Sequence, residues 1–251
     1  MPKFFVKTNQ INDNQVIILG EDVNHIKNVL RANVEDIINV CNSENSKNYM
    51  CKINKLGNDE IVCNIEAELG STSEGRVFLS IFQGLPKADK MELIIQKSTE
   101  LGAFEITPVK MDRCVVVLDG KSEGKKIDRW QKIAEVAAKQ SGRDIIPKVN
   151  NPINVKNLCD LINDYDLVLL TYENEKNNSI KNELVKLKSD CHNNDELKIA
   201  VIIGPEGGIS DKEVESLKSS GAKVVTLGSR ILRTETVALS VTSIVMYELD
   251  A

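Results

Sequence analysis

Apolar positions follow two different rhythms along this chain. Up to about residue 70 they come as short runs, Val16–Leu19, Ile37–Val40, Tyr49–Ile53 and Ile61–Ile65, which predict a small β-rich module. Between the first two runs, Asp22–Arg31 predicts one helix with Val23, Ile26 and Leu30 on its apolar face. From Val77 onward strands alternate with helices, the signature of an α/β domain. Val77–Phe82 predicts a strand, and Lys87-Ala88-Asp89-Lys90 opens a helix carrying Met91, Ile94, Ile95, Ser98 and Leu101. Gly102 ends that helix as a residue free to turn left-handed. The pattern continues with a strand at Glu105–Met111 and a helix at Arg129–Ser141, its Ile133, Val136 and Ala137 inward and Gly142 its stop. A helix at Val155–Ile162 and a buried strand at Leu167–Leu170 follow, while Lys176–Asp195 is polar, weakly helical and without an assigned function. Small polar residues with glycine at both ends, Gly70–Gly75, mark the boundary, giving domains 1–72 and 73–251.

The last quarter holds the candidate chemistry. Two buried-type strands, Ile199–Ile203 and Val224–Leu227, each run into a glycine-bearing loop. Loops at the carboxyl ends of strands are where open α/β sheets bind ligands. Gly204, Gly207, Gly208 and Gly228 lack a Cβ, so backbone groups there can approach a flat ligand closely. Ser210-Asp211-Lys212-Glu213 is a capping box that opens a short helix. Val237, Ala238, Val241, Ile244 and Val245 then give one apolar stripe on a terminal helix. An ordinary α/β connection would also place glycine before a helix, but two arginines and a glutamate crowded into the second loop argue for a ligand site.

Composition is that of a globular protein, and no apolar run reaches the length of a membrane span. Met1–Phe5 leads into no signal-peptide core. The six cysteines are scattered without a Cys-x-x-Cys pair, and only His25 and His192 could join them, so no metal site is expected. They read as reduced thiols of a cytoplasmic protein. The net charge of -5 argues against indiscriminate nucleic-acid binding, yet residues 73–150 carry a net +3, which suits a selective RNA contact. With 4% aromatic residues there is no stacking platform for single strands.

Gly204-Pro205-Glu206-Gly207-Gly208, followed by Leu227-Gly228-Ser229-Arg230-Ile231-Leu232-Arg233-Thr234-Glu235-Thr236 and Ala238, resembles the small-subunit ribosomal RNA methyltransferase E family. The resemblance extends to Lys87, Glu100-Leu101-Gly102, Lys139-Gln140-Ser141-Gly142-Arg143, and His25 with Val29-Leu30-Arg31. That family belongs to the SPOUT methyltransferases and makes N3-methyluridine in 16S rRNA of the small ribosomal subunit. The resemblance implies a PUA-like RNA-binding β-barrel over 1–72, a SPOUT-type α/β domain with a deep trefoil knot over 73–251, a homodimer, and S-adenosylmethionine as cofactor. It carries cofactor contacts onto Leu170, Thr171, Ile203, Gly204, Gly207, Gly208, Leu227, Gly228, Ile231, Leu232, Arg233 and Thr236. His25, Arg31, Lys87, Lys139, Gln140 and Arg143 become RNA-binding candidates, the last four lining a groove beside the active site. The family usually has arginine before Phe-Phe; Lys3 here keeps the charge but not the bidentate geometry.

Methyl transfer to a uracil nitrogen must deal with the N3 proton and with negative charge shared by two carbonyl oxygens. Arg230 and Arg233 have the charge and planar donors for the second task. Glu206 and Glu235, the carboxylates of the two loops, are candidates for the first or for holding an arginine. The plain alternative is that Arg233 and Glu235 pair with each other or cap the last helix. A dinucleotide oxidoreductase would need Gly-x-Gly-x-x-Gly after a strand, which Gly204–Gly208 lacks, and no Gly-Lys-Ser/Thr of a P-loop occurs. A non-catalytic rRNA-binding protein retaining a methyltransferase fold is the remaining rival.

Overall fold

The protein is described by a computed structural model covering residues 3–71, 73–118, 120–192 and 195–250. The chain divides into two compact units, Met1–Glu74 with Ala138–Ile146, and Gly75–Ala137 with Pro147–Ala251.

The first unit is built on β1 (Lys3–Val6), β2 (Ile11–Asn12), β3 (Gln15–Leu19), β4 (Ile37–Asn42), β5 (Asn48–Leu56) and β6 (Glu60–Leu69). They form one sheet in the order β1-β4-β5-β6-β3-β2, antiparallel except for the β1–β4 pair. The four expected strand runs fall in β3, β4, β5 and β6. Their alternation buries Val16, Ile18, Ile38, Val40, Ile53 and Ile61 around Phe4 and Ile26.

The single helix expected at Asp22–Arg31 is not what forms. A short α1 (Glu21–Asn24) passes into a π turn over His25–Val29, closed by Leu30 N donating to His25 O at 2.9 Å. The wider turn breaks the 3.6-residue spacing. Val23 and Ile26 stay buried, but Leu30 is rotated out to 38% exposure and Arg31 takes a φ of 53°.

Residues 138–146 add a polar knot to this unit. Arg143 is 5% exposed, and its Nε and Nη2 donate to Glu74 at 3.2 and 2.6 Å. Asp144, fully buried, accepts from Lys3 and from Ser71 Oγ, while its backbone amide donates to Glu74 at 2.9 Å. Burial alone would raise the Glu74 carboxyl; the Arg143 guanidinium and the Asp144 amide outweigh it and hold Glu74 below the ordinary value.

The second unit has an all-parallel sheet of β7 (Val77–Gly84), β8 (Glu105–Lys110), β9 (Lys148–Val149), β10 (Ile153–Asn154), β11 (Leu167–Thr171), β12 (Leu197–Ile203) and β13 (Lys223–Val225). The order is β10-β8-β7-β12-β11-β13, with β9 also on β8. Both faces are covered, which is why β12 reads as a continuous apolar run. Ile199, Val201 and Ile203 face the helices α2 (Lys90–Glu100), α3 (Gly120–Ser141), α5 (Ile180–Asp190) and α7 (Thr234–Leu249). Ala200 and Ile202 face α4 (Val155–Leu161) and α6 (Asp211–Ser219).

Several helix expectations need correction. α3 begins at Gly120 rather than Arg129, because its first turns carry glycine and charge and show no apolar period. Its buried face is Trp130, Ala134, Ala137 and Ala138; Ile133 is half-buried and Val136 is exposed, so small alanines and not the larger aliphatics mark the inside. α5 is a full helix, its Ser179 cap accepting from Asn182 N. β13 stops at Val225, leaving Leu227 in the loop. On α7 the buried stripe is Thr234, Ala238, Val241, Thr242, Val245 and Leu249, while Ile244 is exposed. No helix of the described residues is long and apolar enough to cross a membrane.

Cys41, Cys51 and Cys63 are buried, and burial pushes their thiols up to about 12, 12 and 11 respectively. A thiolate-selective reagent at pH 8 is therefore expected to leave these three unlabelled in the native protein and to label all six in denaturant. Mass mapping of the label checks this, and native labelling of Cys51 would contradict the packing.

Candidate active site

Three adjacent parallel strands, β12, β11 and β13, end side by side at Ile203, Thr171 and Val225. Their loops leave a cleft of about 490 Å³, with Ile203–Glu206, Gly208 and Ile209 on one wall and Val225–Thr234 on the other. Thr171, Tyr172, Glu173, Lys90 and Val237 complete it. The two glycine turns thus face one cavity. The second wall is tied to the first at its root: Thr234 Oγ1 donates to Gly204 O at 2.7 Å and accepts from Gln83 Nε2 at 2.9 Å.

Of the expected cofactor positions, Thr171, Ile203, Gly204, Gly208, Leu227, Gly228, Ile231, Leu232 and Arg233 line this cleft. Leu170 is wholly buried within the sheet core, Thr236 points outward from α7, and Gly207 packs on Arg113, whose Nη1 donates to Gly207 O at 3.2 Å. Gly228 is glycine for a conformational reason, not a steric one. Its φ is 116°, and its missing side chain faces open space within 4 Å, so the backbone borders the cavity directly.

Lys90 is the residue that pattern reading missed. Its ammonium lies 2.9 Å from Glu206 Oε1 and 3.4 Å from Glu235 Oε2. Glu206 also accepts from the Lys87 backbone amide at 3.0 Å, joining the start of α2 to the first glycine loop. Burial raises the Glu206 carboxyl, but the Lys90 ammonium and the backbone amides more than reverse this and keep it below its ordinary value. The Lys90 ammonium is shifted up, chiefly by its hydrogen bond to Glu206. On sequence, Lys90 was one more polar residue at a helix start; only the fold shows it between two loop carboxylates. Glu235 Oε2 is buried, and the Lys90 ammonium at 3.4 Å is an ion-pair partner outside good hydrogen-bond geometry. The alternative pairing of Arg233 with Glu235 does not form. Arg230 and Arg233 are exposed and make no ion pair or hydrogen bond with another described residue.

The approach to Lys90 includes Ala88 at φ 53°, a non-glycine residue in the left-handed region. That conformation costs about 1–2 kcal/mol, against about 0.4–1 kcal/mol of extra chain entropy that glycine would bring to the unfolded state. Ala88→Gly is therefore expected to stabilise the protein by about 0.5–1 kcal/mol. Thermal unfolding should show a midpoint higher by about 1–4 °C.

The RNA candidates divide. His25 and Arg31 are exposed in the first unit, His25 with its ring edge-on to Phe4 at 5.9 Å. Gln140 is exposed there, while the Lys139 ammonium is bonded to both Asp22 oxygens at 3.0 Å. Arg143, expected to line an RNA groove, is instead locked against Glu74 inside the unit, and Lys3 is paired with Asp144. Lys87 is exposed in the second unit.

Comparison with known proteins gives a consistent picture. Residues 73–246 match the family described as RNA methyltransferase domain, and residues 18–66 match the RNA methyltransferase PUA domain. A Bacillus subtilis (strain 168) protein named ribosomal RNA small subunit methyltransferase E is 36% identical over 93% of this chain and 90% of its own length. The protein of that name from Mesomycoplasma hyopneumoniae (strain 232) is 34% identical over 95% and 96%. The crystal structure of a ribosomal RNA small subunit methyltransferase E from Neisseria gonorrhoeae bound to S-adenosyl methionine superposes with a TM-score of 0.84 at 28% identity, covering 98% of this chain and 97% of that one.

Proposed function

The chain belongs to the RNA methyltransferase family to which these ribosomal RNA small subunit methyltransferases E belong, and from that membership we propose that it transfers a methyl group from S-adenosylmethionine to N3 of a uridine in 16S rRNA. The observation that carries the reading is the shared cleft of Gly204 and Gly228. Its volume of about 490 Å³ lies in the usual range for small-molecule sites. Ile203, Ile209, Val225, Leu227, Leu232 and Val237 offer an apolar bed for adenine, and the glycine turns offer backbone groups for its edge.

The bound donor supplies an electrophilic methyl carbon on sulfonium sulfur. The walls hold the acceptor nitrogen in line with that carbon, which contributes several kcal/mol through orientation. Arg230 and Arg233, unpaired with any other described residue, face the carbonyl oxygens of the uracil and stabilise the charge left when N3 gives up its proton. Glu206 is held ionised by Lys90 and anchors the loop. Glu235 Oε2 shares the same ammonium at 3.4 Å, and the two loop carboxylates are together the candidates for taking the proton.

Residues 1–72, joined by 138–146, serve RNA binding as a PUA-like barrel, with His25, Arg31 and Gln140 outward. Residues 73–251 carry out the transfer. The return of α7 to Gly204 through Thr234 supports a knotted path in that domain. Ile244 and Tyr247, exposed on the outer side of α7, support a homodimer. A ribosomal substrate agrees with a cytoplasmic location.

The test is mass mapping of small-subunit rRNA and 30S particles lacking the modification, after incubation with protein and donor. One added methyl on one uridine, blocking reverse transcription at that base, is expected. Donor binding without any methylated product would instead favour the non-catalytic rRNA-binding protein.

A further inference from the structure

The polar side chains of the cleft are not equally available. Thr171 Oγ1 donates to Ile202 O at 3.0 Å, Thr226 Oγ1 to Gly228 O at 3.1 Å, and Thr234 Oγ1 to Gly204 O at 2.7 Å. The Tyr172 hydroxyl is bonded to Asp211 at 2.9 Å, and Glu206 is paired with Lys90. Of the two carboxylates in the lining, Glu173 is different: like those of Arg230 and Arg233, its side chain makes no ion pair or hydrogen bond with another described residue.

Its position is set by the chain around it. Glu173 lies two residues beyond Thr171, where β11 ends, and its Oε1 sits over Gly208. A Cβ on Gly208 would come within 2.7 Å of that oxygen, and Gly208 itself has a φ of 73°. The next residue, Ile209, is buried and belongs to the apolar part of the cleft. The carboxylate therefore stands at the margin of the adenine bed. A group attached to adenine and rich in hydroxyl donors would meet it first.

We propose that Glu173 recognises the ribose of the methyl donor, its carboxylate accepting hydrogen bonds from the vicinal 2′- and 3′-hydroxyls. An ionised acceptor facing two adjacent donors makes the stronger, charge-assisted kind of bond. A carboxylate just past a strand reading a ribose is also a recurrent solution in nucleotide-binding α/β sheets. Glu173 is then the residue that selects a ribonucleoside donor over a 2′-deoxy analogue. This assignment rests on the methyltransferase reading above.

The experiment is calorimetric binding of S-adenosylhomocysteine, 5′-methylthioadenosine and 2′-deoxy-5′-methylthioadenosine to wild-type protein, Glu173→Gln and Glu173→Ala. The exposed position of Glu173 leaves both variants folded. Glu173→Ala is expected to weaken the first two ligands by the same factor, about 10-fold or more, with Glu173→Gln intermediate. The 2′-deoxy ligand should bind wild type correspondingly weakly and lose little further in Glu173→Ala. Weakening of S-adenosylhomocysteine alone would assign the carboxylate to the amino-acid ammonium and overturn the proposal. Unchanged affinities in both variants would overturn it while leaving the methyltransferase reading intact. A wild-type protein that binds none of the adenosyl ligands would remove that reading and this one together.

Discussion

Arg143→Ala is expected to destabilise the first unit by about 3 kcal/mol, the low end of the range for removing one partner of a buried ion pair. The guanidinium is almost fully enclosed, and Glu74, its side chain 20% exposed, would keep its charge with the Ser73 hydroxyl and backbone amides but no cation to meet it. Glu74 has a depressed carboxyl in the folded state, so its stabilising contribution is present above the ordinary glutamate value of about 4.3. That contribution is lost as pH falls below that value and through the folded one. Glu74→Gln should flatten this acid-side loss. The readout must come from the first unit itself. Trp130, the single tryptophan, belongs to the second, so amide exchange along β4 and β5 is the suitable measurement. If those amides exchange as slowly in Arg143→Ala as in wild type, and RNA affinity falls instead, the arginine is a nucleic-acid contact after all.

Lys90→Met should leave the protein folded and reduce methyl transfer on the order of 10²-fold. Lys90 is partly exposed, so its ion pairs contribute little to stability in solvent. Their importance lies in position. One ammonium joins Glu206 on the first glycine loop to Glu235 at the start of α7, and displacements of about 1 Å at a reacting centre cost roughly 10²-fold in rate. Without the cation the two carboxylates repel, and the Glu206 carboxyl moves back toward its ordinary value. Single-turnover rates at saturating donor would show the effect as a fall in the transfer step. A variant with wild-type turnover would mean that the loops hold their places without this bridge.

The legible parts of the sequence were those with a strong local signal. The capping box at Ser210–Glu213 forms as expected, with Ser210 accepting from Glu213 N and Glu213 reaching back to Ser210 N. The glycine at 102 turns left-handed at φ 107° directly after α2, and β11 and the Ile199–Ile203 part of β12 were visible as uninterrupted aliphatic runs. What escaped notice had no periodic trace. The π turn at His25–Val29 has the apolar spacing of an α-helix up to Ile26 and departs from it only at Leu30. The inward face of α3 is alanine, which carries little hydropathy contrast beside the exposed Val136. Arg143, Lys139 and Lys90 show the same limit in the cleft and outside it: a cation's partner lies 69 to 145 positions away and cannot be read from its neighbours. Conversely the two glycine turns, 24 residues apart by number, were placed together because each follows a strand of the same parallel sheet.

Lys3 and Asp144 are 141 residues apart in the chain yet belong to the same small unit. On a translating ribosome, at about 5–20 residues per second, the amino-terminal strands must wait on the order of 10 s for the segment that completes them. The exposed end of β1 is then a vulnerable edge during synthesis. The same long-range contact sets a rule for dissecting the protein: a fragment ending at residue 74 omits Arg143 and Asp144. An autonomous amino-terminal unit would have to carry residues 138–146 on a connecting linker.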